Sequence, residues 1–402
     1  MKFMLRRIAI EDASTGQFFH RPMWIFVTAF LLRTAVMATF FAHSQFTWGV
    51  NESAGIARSI VEGHGFSSAF HVADGPTAWL APVYPGLIAA IFRFLGIESV
   101  ASAGVAVLFN VIFSSLTAVL LVRLGREQLG ETAGVVAGWC WAIAPPLLVM
   151  PWLPWETCLS ALVLTFAFLT TLKLRSSSRL ADWIRCGMIW SFAALLNPAM
   201  LAPLVVLSAE AALHTRRLKG PAVMIGVCVL GILPWTVRNY RAFRCVVPIR
   251  SNFWPEAYFG NVGFSLHPTG GAMLYQKEGE IAFSRDLKKR TLNFVRSNPR
   301  EFTRLVGHRI AAFWGRSSAL QPCPVVVLGL SLGGIAMAWW QRKRWLAFAS
   351  VLAVYPVVYY VTYVFARYRY PIEPLMYGLS AYLVVALFSG LHKCDAEQSL
   401  RT

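Results

Sequence analysis

The sequence has few charged residues, and acids are the scarcer kind. Only 14% of its 402 residues are Asp, Glu, Lys or Arg, and 37 Lys and Arg stand against 19 Asp and Glu. A soluble domain has about a quarter of its residues charged, so this shortage excludes an ordinary soluble domain. The hydrophobic fraction of 56% and the mean hydropathy of +0.54 instead indicate a polytopic membrane protein.

Two further shortages narrow the function. The seven cysteines do not follow the spacing of a metal site, and Cys245 and Cys323 flank one predicted external loop, where a disulfide is an open alternative. No basic region separates from the apolar segments and no recognition motif occurs, so nucleic acid is excluded as a partner. The net charge of +18 first indicates basic cytoplasmic loops and then an anionic ligand.

Long apolar runs predict ten transmembrane helices. They cover residues 23–41, 101–122, 132–150, 157–172, 183–197, 199–213, 221–236, 324–340, 345–364 and 372–390. The apolar segment 84–95 is too short to span. We place it on the outer surface, because every loop that then faces the cytoplasm carries Lys or Arg. Both termini are then cytoplasmic, and the first apolar run is an anchor, not a signal peptide.

This topology divides the chain into five segments. They are a cytoplasmic N-terminus (1–22), a transmembrane module (23–236) with an outer catalytic loop (43–100), a basic external loop with amphipathic helices (237–321), C-terminal transmembrane helices (322–390) and a cytoplasmic tail (391–402). Between residues 236 and 321, fourteen Lys and Arg stand against five acids. Because this excess opposes the positive-inside tendency, it indicates either an anionic ligand or anionic lipid on the outer side.

Two helices are predicted within the basic external loop. The sequence Asn298-Pro299-Arg300-Glu301 has the pattern of an N-cap, an N1 proline and a capping-box glutamate, and Gly315 would end that helix. Apolar residues recur at helical spacing with arginines between them, which is typical of a helix in the headgroup plane. A similar helix is predicted near residues 284–296.

The outer stretch 47–85 holds the first candidate for chemistry. Asn51 is a predicted N-cap, and Glu52 follows in the first turn of a short surface helix that Gly63 would end. A general base needs a carboxylate within hydrogen-bond reach of an acceptor proton, and Glu52 has no local partner. Glu156, in a short outer turn, is a second acid that could orient an acceptor or a metal. The alternatives are a residue favoured by the helix dipole and an exposed turn residue.

Arginines near the membrane boundary are candidates for binding a phosphate. One predicted span leads directly into Arg238-Asn239-Tyr240-Arg241, and a guanidinium can bind a lipid phosphate through two hydrogen bonds. The alternative is an interfacial Trp/Arg anchor. Arg33, near the middle of the first predicted span, is either functional or a structural residue that snorkels or pairs.

The sequence gives little reason for a metal site. His64, His71 and Asp74 lie near one another in the first outer loop, but their spacing matches no established ligand pattern. We therefore assign no metal ligand and no certain cofactor, and a divalent metal stays an open alternative.

Four segments occur in a recognisable order between about residues 50 and 315. They are Asn51-Glu52 with SAGIARSIVEGHGF, then GPTAWLAPVYPGLIAAIFRFLG, LPWTVRNYRAF and SNPREFTRLVGHRIAAFW. Together they resemble the GT-C superfamily of membrane glycosyltransferases that use polyprenyl-phosphate sugars. The most similar members are the bacterial relatives of dolichyl-phosphate-mannose protein mannosyltransferases and of lipid A aminoarabinose transferases. The resemblance implies an all-α fold with outer juxtamembrane helices, an outer-facing active site, and an acid of the first loop acting as base.

The chain departs from the family pattern at two places. Many relatives carry an Asp-Glu pair where this chain has Asn51-Glu52, so the base shifts to Glu52 or lies elsewhere. A Lys-Pro pair that some relatives use near the lipid phosphate is Ala81-Pro82 here. This leaves Arg58 and Arg238, with Arg241, as the candidate ligands of the donor phosphate.

Together these observations predict an inverting glycosyltransferase with about ten transmembrane helices. It would transfer a hexose or pentose from a polyprenyl phosphate to a glycan, lipid or protein at the outer face of a bacterial inner membrane, in contact with membrane lipids. Glu52 would deprotonate the acceptor hydroxyl, and Glu156 would help to orient the acceptor. Other candidates for loop and acceptor contacts are Asn51, His64, Trp79, Tyr84, Asn239 and Tyr240.

Two other classes of protein stay open. A transporter or flippase of a lipid-linked anion needs ionisable groups at mid-membrane and often has repeated halves. Arg33 is the single clear charge near the middle of a predicted span, and the sequence shows no repeat. A non-catalytic assembly protein would leave the polar outer loops unexplained. Convergence of Glu52, Glu156 and Arg238 on one outer cavity would favour the enzyme.

Overall fold

The architecture is all-helical, as the sequence predicts. A computed structural model describes residues 21–43, 46, 48–49, 51–70, 75–177, 179–263, 275, 279–315 and 324–399. Over these residues the chain forms no strand, and its only strand-like pairing is an isolated antiparallel bridge between Ser67 and Pro76. A large apolar cluster that draws on most of the helices forms the core.

Seventeen α-helices form within these residues. They are α1 (Pro22–His43), α2 (Glu52–Val61), α3 (Val83–Leu95), α4 (Val100–Leu124), α5 (Glu131–Ile143), α6 (Pro145–Val149), α7 (Thr157–Lys173), α8 (Leu180–Leu196), α9 (Leu201–Thr215), α10 (Lys219–Phe243), α11 (Phe253–Asn261), α12 (Glu280–Ser297), α13 (Pro299–Gly315), α14 (Pro324–Trp340), α15 (Trp345–Val354), α16 (Val357–Val361) and α17 (Glu373–Ser399). A π-helical turn, Gly125–Leu129, extends α4. Short 3-10 segments are Met150–Trp152, Leu174–Ser176, Pro198–Met200 and Ala366–Ile372.

Six helical segments of the described chain are long and apolar enough to cross a membrane. They are Pro22–His43, Val100–Leu129, Thr157–Ser176, Pro198–Thr215, Lys219–Phe243 and Ala366–Ser389. The pair α5 and α6 is bent by 57° and makes a seventh if it counts as one span. The other predicted spans coincide with shorter helices, namely α8, α14 and α15 with α16. The polytopic class is therefore confirmed, while the number ten stays a prediction.

The bend between α5 and α6 explains the buried arginine of the first span. In an α-helix the carbonyls of Trp141 and Ala142 would accept from the N–H groups of the residues four positions on, but these are Pro145-Pro146, which have none. Arg33 supplies the missing donors: its Nη2 donates to Trp141 O at 2.7 Å and its Nη1 to Ala142 O at 3.0 Å. Its Nε donates to Ser114 Oγ at 3.0 Å. Arg33 thus caps a broken helix, which decides the alternative in favour of a structural residue.

The first outer helix, α2, has the predicted caps. The Asn51 side chain accepts hydrogen bonds from the N–H groups of Ser53 and Ala54, at 2.9 and 3.2 Å. Gly63 follows the C-cap with a φ of +88°, a conformation that favours glycine. Helix α3, which covers the ambiguous segment 84–95, has 13 residues and packs against α2. Its length is too small to span a membrane, in agreement with its predicted surface position.

The basic external segment contains α11, α12 and α13. Helix α13 begins at Pro299 and ends at Gly315, as predicted, and α12 covers the predicted 284–296. The predicted capping box is wrong. The Glu301 carboxylate accepts from Arg304 Nε and Nη2, at 2.8 and 2.6 Å, and the Asn298 N–H donates to the carbonyl of residue 294. A bidentate, charge-assisted pair is stronger than a single hydrogen bond to a backbone N–H. The Glu301 carboxylate therefore binds Arg304 instead of the backbone.

The topology can be tested by thiol labelling in intact cells. With single cysteines at positions 217 and 343 of a cysteine-free variant, we expect an impermeant maleimide to leave both unmodified, because both basic loops are predicted to be cytoplasmic. A cysteine at Arg285, on exposed α12, is the control and should react. Efficient labelling at both inner positions would contradict the orientation.

Candidate functional site

The candidate site lies around the start of α2, beside the turn between α6 and α7. Asn51 Nδ2 donates to the carbonyl of Pro154 at 3.0 Å, which ties the start of α2 to the turn between α6 and α7. That turn carries Trp155 and Glu156. The side chain that caps α2 therefore also fixes Glu52, the first residue of α2, beside this turn.

Glu52 has charged neighbours from three distant segments. It interacts electrostatically with Glu256 of α11, with Arg367 and with Arg250. Burial raises the pKa of Glu52, against the effect of its own backbone hydrogen bond; the Glu256 carboxylate raises the pKa further, and the two arginines lower it. Its carboxyl group is partly buried and its pKa is raised, which makes Glu52 a candidate general base.

The second carboxylate shares the surroundings of the first. Burial raises the pKa of Glu256 as well, and Arg250 and Arg367 lower it. The four side chains therefore form a mixed cluster of two carboxyl groups and two guanidinium groups. Such a cluster can accept a proton at one point and stabilise an anion at another.

Both arginines of this cluster are held by neighbouring groups. Arg250 Nε donates to the carbonyl of Trp79 at 3.3 Å, and the next residue, Ser251, donates its N–H to Ala78 O at 2.9 Å. The Arg367 guanidinium lies 4.4 Å from the ring centroid of Trp155 in the turn between α6 and α7. Stacking of this kind positions a guanidinium. The N–H groups point outward in the plane of the guanidinium, where they can bind an anion.

Glu156 stands at the other end of the site, among tyrosines. It interacts electrostatically with three tyrosines, namely Tyr84 of α3, Tyr355 at the end of α15 and Tyr359 of α16. The hydroxyls of Tyr355 and Tyr359 lie 3.3 Å apart. Tyr359 also interacts with Arg250, so a shared set of neighbours connects Glu156 with the cluster around Glu52. The structure thus brings both predicted acids to one region.

Arg238 holds the first outer loop. Its Nη1 donates to Thr77 O at 2.6 Å and its Nη2 to the carbonyl of Phe66, and its guanidinium lies 5.0 Å from the ring centroid of Trp235. Asn239 is fully buried, and its Nδ2 donates to Val247 O at 3.0 Å. The predicted binding of the donor phosphate by Arg238 is not tested by these contacts, but they give it a second role as a clamp of the loop.

The remaining predicted residues have other surroundings. Arg58 pairs with Glu98 at 2.6 Å and is six residues, about 9 Å, along α2 from Glu52. His64 is 3.8 Å from the carboxylate of the adjacent Glu62. Of the rest, Trp79 and Tyr84 are buried, while Tyr240 and Arg241 are exposed at the end of α10.

A buried carboxylate outside the predicted set joins the loops. Glu280, only 4% exposed, accepts from Thr77 Oγ1 at 2.5 Å, Ala78 N at 2.8 Å and Ser251 Oγ at 2.5 Å, and from the Tyr275 hydroxyl. These bonds connect α12 to the loop before α3 and to the segment that carries Arg250 and Ser251. Glu280 is thus a structural support for the cluster.

Sequence reasoning missed three residues of the cluster, namely Arg250, Glu256 and Arg367. The first two were counted only as charges of the external loop. Arg367 lies in the connection between the last two predicted spans, which the predicted topology already puts on the outer face. This short turn was predicted to be on the same side as the turn 151–156, so its Arg367 could have been selected as a candidate in the same way.

The described residues contain no group of three or more His, Cys, Asp and Glu side chains placed to hold a metal. His71 and Asp74 lie outside these residues, so the structure does not test whether they lie near His64. Around Glu52 the positive charge comes from two guanidinium groups, which do not suit a metal site of two carboxylates. We derive no step through a metal.

Comparison with known proteins identifies the fold. No protein-family model matches the sequence, and no curated protein matches it significantly. The oligosaccharyltransferase AglB from Archaeoglobus fulgidus is similar in its apo form, with a TM-score of 0.57, 14% identity, and coverage of 95% of this chain and 52% of that one. Its complex with an inhibitory peptide and a dolichol-phosphate gives a TM-score of 0.55, 14% identity, and coverage of 94% and 52%.

ArnT from Cupriavidus metallidurans bound to undecaprenyl phosphate has 14% identity over 92% of this chain and 77% of that one; its TM-score of 0.39 does not by itself establish a shared fold. This chain spans about half the length of the archaeal oligosaccharyltransferases. The chain is thus a multi-pass membrane protein with the fold of GT-C membrane glycosyltransferases, and the resemblance seen in the sequence is confirmed at the level of the fold.

Proposed function

We propose that the protein is an integral-membrane glycosyltransferase. It transfers a sugar from a polyprenyl phosphate to an acceptor hydroxyl at the outer face of a bacterial inner membrane. The fold supports the class, and one similar archaeal structure holds a dolichol-phosphate, which is a lipid phosphate of the proposed kind. The observation that carries the proposal is the partly buried Glu52 carboxylate with Arg250 and Arg367 as its charged neighbours.

The proposed reaction uses these groups in one displacement. Glu52 takes the proton of the acceptor hydroxyl, and the oxygen attacks the anomeric carbon from the side opposite the phosphate. A new glycosidic bond forms, the bond from the anomeric carbon to the phosphate oxygen breaks, and the anomeric configuration inverts. The polyprenyl phosphate leaves as a dianion, which Arg250 and Arg367 stabilise, so no acid catalyst is required.

The other polar groups have supporting roles in this proposal. Glu156 and the tyrosines around it provide hydrogen-bonding groups that suit the hydroxyls of a sugar or glycan acceptor. Arg241, exposed at the end of α10, remains a candidate to attract the lipid phosphate, and Arg58 is the more remote one. The alternative function is a flippase, for which Arg33 was the one mid-membrane charge. The guanidinium of Arg33 donates hydrogen bonds to helix carbonyls, so this support for a flippase is lost.

The two carboxyl groups predict a specific pH effect. Because a like charge on Glu256 raises the pKa of Glu52, the Glu256→Gln substitution should lower that pKa. Activity requires deprotonated Glu52, so the acidic limb of kcat/KM against pH should move to lower pH. Arg250 and Arg367, which stay in place, act in the same direction. An unchanged limb, or one that moves to higher pH, would show that the two groups are not coupled.

Deletion of the gene tests the proposal and identifies the unknown partners. We expect a deletion strain to lose one sugar from a membrane glycoconjugate and to accumulate the matching polyprenyl-phosphate sugar. The parent gene should restore the product, and the Glu52→Gln variant, expressed at the same level, should not. An unchanged glycoconjugate profile, with no accumulated donor, would refute the proposed activity.

A further inference from the structure

A basic groove lies at the membrane surface opposite the candidate site. It has a volume of about 450 Å³ and is lined by the ends of α7, α8, α9 and α10. Helix α8 begins at the groove with Leu180 and ends next to Asn197, which interacts with Tyr359 of the site. Its 17 residues correspond to about 25 Å, close to the thickness of the hydrocarbon core.

Two cations of the groove have no acidic partner among the described residues. Arg217 and Lys219 line it and are exposed, and neither forms an ion pair with any residue that the structure describes. Arg175, also in the wall, is different, because it is buried and paired with Glu210. Trp183 packs against Gly220 to form a closed floor, since the space for a Cβ there is filled by the indole ring. A groove with two free cations suits an anion.

An apolar track continues from the same groove into the membrane. Leu180 lines the groove and is the first of four exposed apolar side chains spaced four residues apart along α8. They are Leu180, Ile184, Met188 and Phe192, with exposures of 43%, 38%, 54% and 44%. Residues at this spacing share one side of a helix, so the track is continuous. Its length and polarity match an acyl chain whose phosphate lies in the groove.

We propose that this groove binds an anionic phospholipid of the inner leaflet, with the phosphate at Arg217 and Lys219 and one acyl chain along the apolar track. A zwitterionic lipid fits less well. The two cations would repel its ammonium group, and the groove, as far as the described residues form it, offers no free carboxylate to bind that group. A soluble phosphate compound would leave the track unused. The site is independent of the proposed transferase activity, since it lies at the other surface.

Titration of the detergent-purified protein with phosphatidylglycerol tests the proposal, with bound lipid counted by native mass spectrometry. We expect the double variant Arg217→Gln/Lys219→Gln to bind it about 25-fold more weakly, about fivefold for each cation lost. The control Arg285→Gln/Lys289→Gln removes two exposed charges from α12 at the other surface and should bind like the parent. Phosphatidylcholine should bind to the parent no more tightly than it binds to the groove variant.

Three results would overturn the assignment. Equal weakening in the control variant would mean that net charge, not the groove, governs binding. Equal binding of phosphatidylcholine and phosphatidylglycerol by the parent would remove the anionic specificity. Displacement of the lipid by glycerol 1-phosphate at similar concentration would mean that the ligand is a soluble phosphate compound and that the apolar track has no role.

Discussion

Replacing Glu52 by Gln should lower sugar transfer by at least about 100-fold, the usual scale for loss of a general base. The amide keeps the size of the side chain and most of its hydrogen bonds, but it cannot take the proton of the acceptor hydroxyl. Donor binding and membrane insertion should be unchanged, because neither depends on that proton. Steady-state turnover and equilibrium donor binding of the purified variant check the two parts separately.

A matched control lies on the same helix. Glu62, just after the last turn of α2, is exposed, and its carboxylate lies 3.8 Å from the His64 ring. The Glu62→Gln substitution removes the same charge from the same segment and should leave turnover near that of the parent. If Glu52→Gln also turned over at that rate, Glu52 would be only a helix-terminal residue, and the base would have to be sought elsewhere, first at Glu256.

Arg367→Ala should have the second largest effect, about a 100-fold loss in kcat/KM, which is the scale for removing one group that stabilises developing charge. The loss should appear both in donor affinity and in turnover, because the phosphate carries charge in the ground state and gains more as it leaves. Arg367→Lys should also be impaired, since one ammonium cannot reproduce the guanidinium fork that is stacked on Trp155.

The control for this substitution is Arg300→Ala. Arg300 is exposed on α13, in the basic external segment, and should contribute only general attraction to anionic lipid. Thermal unfolding of both variants should match that of the parent, which separates loss of function from loss of fold. If Arg300→Ala lost donor binding while Arg367→Ala did not, the phosphate site would have to move to the amphipathic helix.

Local features of the fold could be predicted from the sequence because they depend on neighbouring residues. The Asn51 cap, the stop at Gly63 and the boundaries of α13 are all determined by short-range hydrogen bonding and by the backbone preferences of glycine and proline. The membrane class follows from composition. Even the role of Arg33 was within reach, since Pro145-Pro146 signals two helix carbonyls that need another donor.

The candidate site was only partly predictable because it is built from long-range contacts. Glu52, Glu256 and Arg367 come from segments more than a hundred residues apart, and no periodicity or spacing connects them. Arg238 shows the reverse case. Its position at the membrane boundary pointed to a phosphate, yet two of its guanidinium nitrogens donate to loop carbonyls. Both carbonyls belong to a loop about 160 to 170 residues away in the chain, which sequence reasoning could not place.

The fate of a polyprenyl-phosphate sugar in proteoliposomes distinguishes a glycosyltransferase from a flippase. The vesicles would contain the purified protein, the lipid-linked sugar and a membrane extract that supplies the acceptor. We expect the parent protein to release free polyprenyl phosphate and to form a glycosylated product, and the Glu52→Gln variant to do so at least about 100-fold more slowly. The contradicting result is an intact lipid-linked sugar that crosses to the other leaflet at equal rates in both proteins, because that is the behaviour of a flippase.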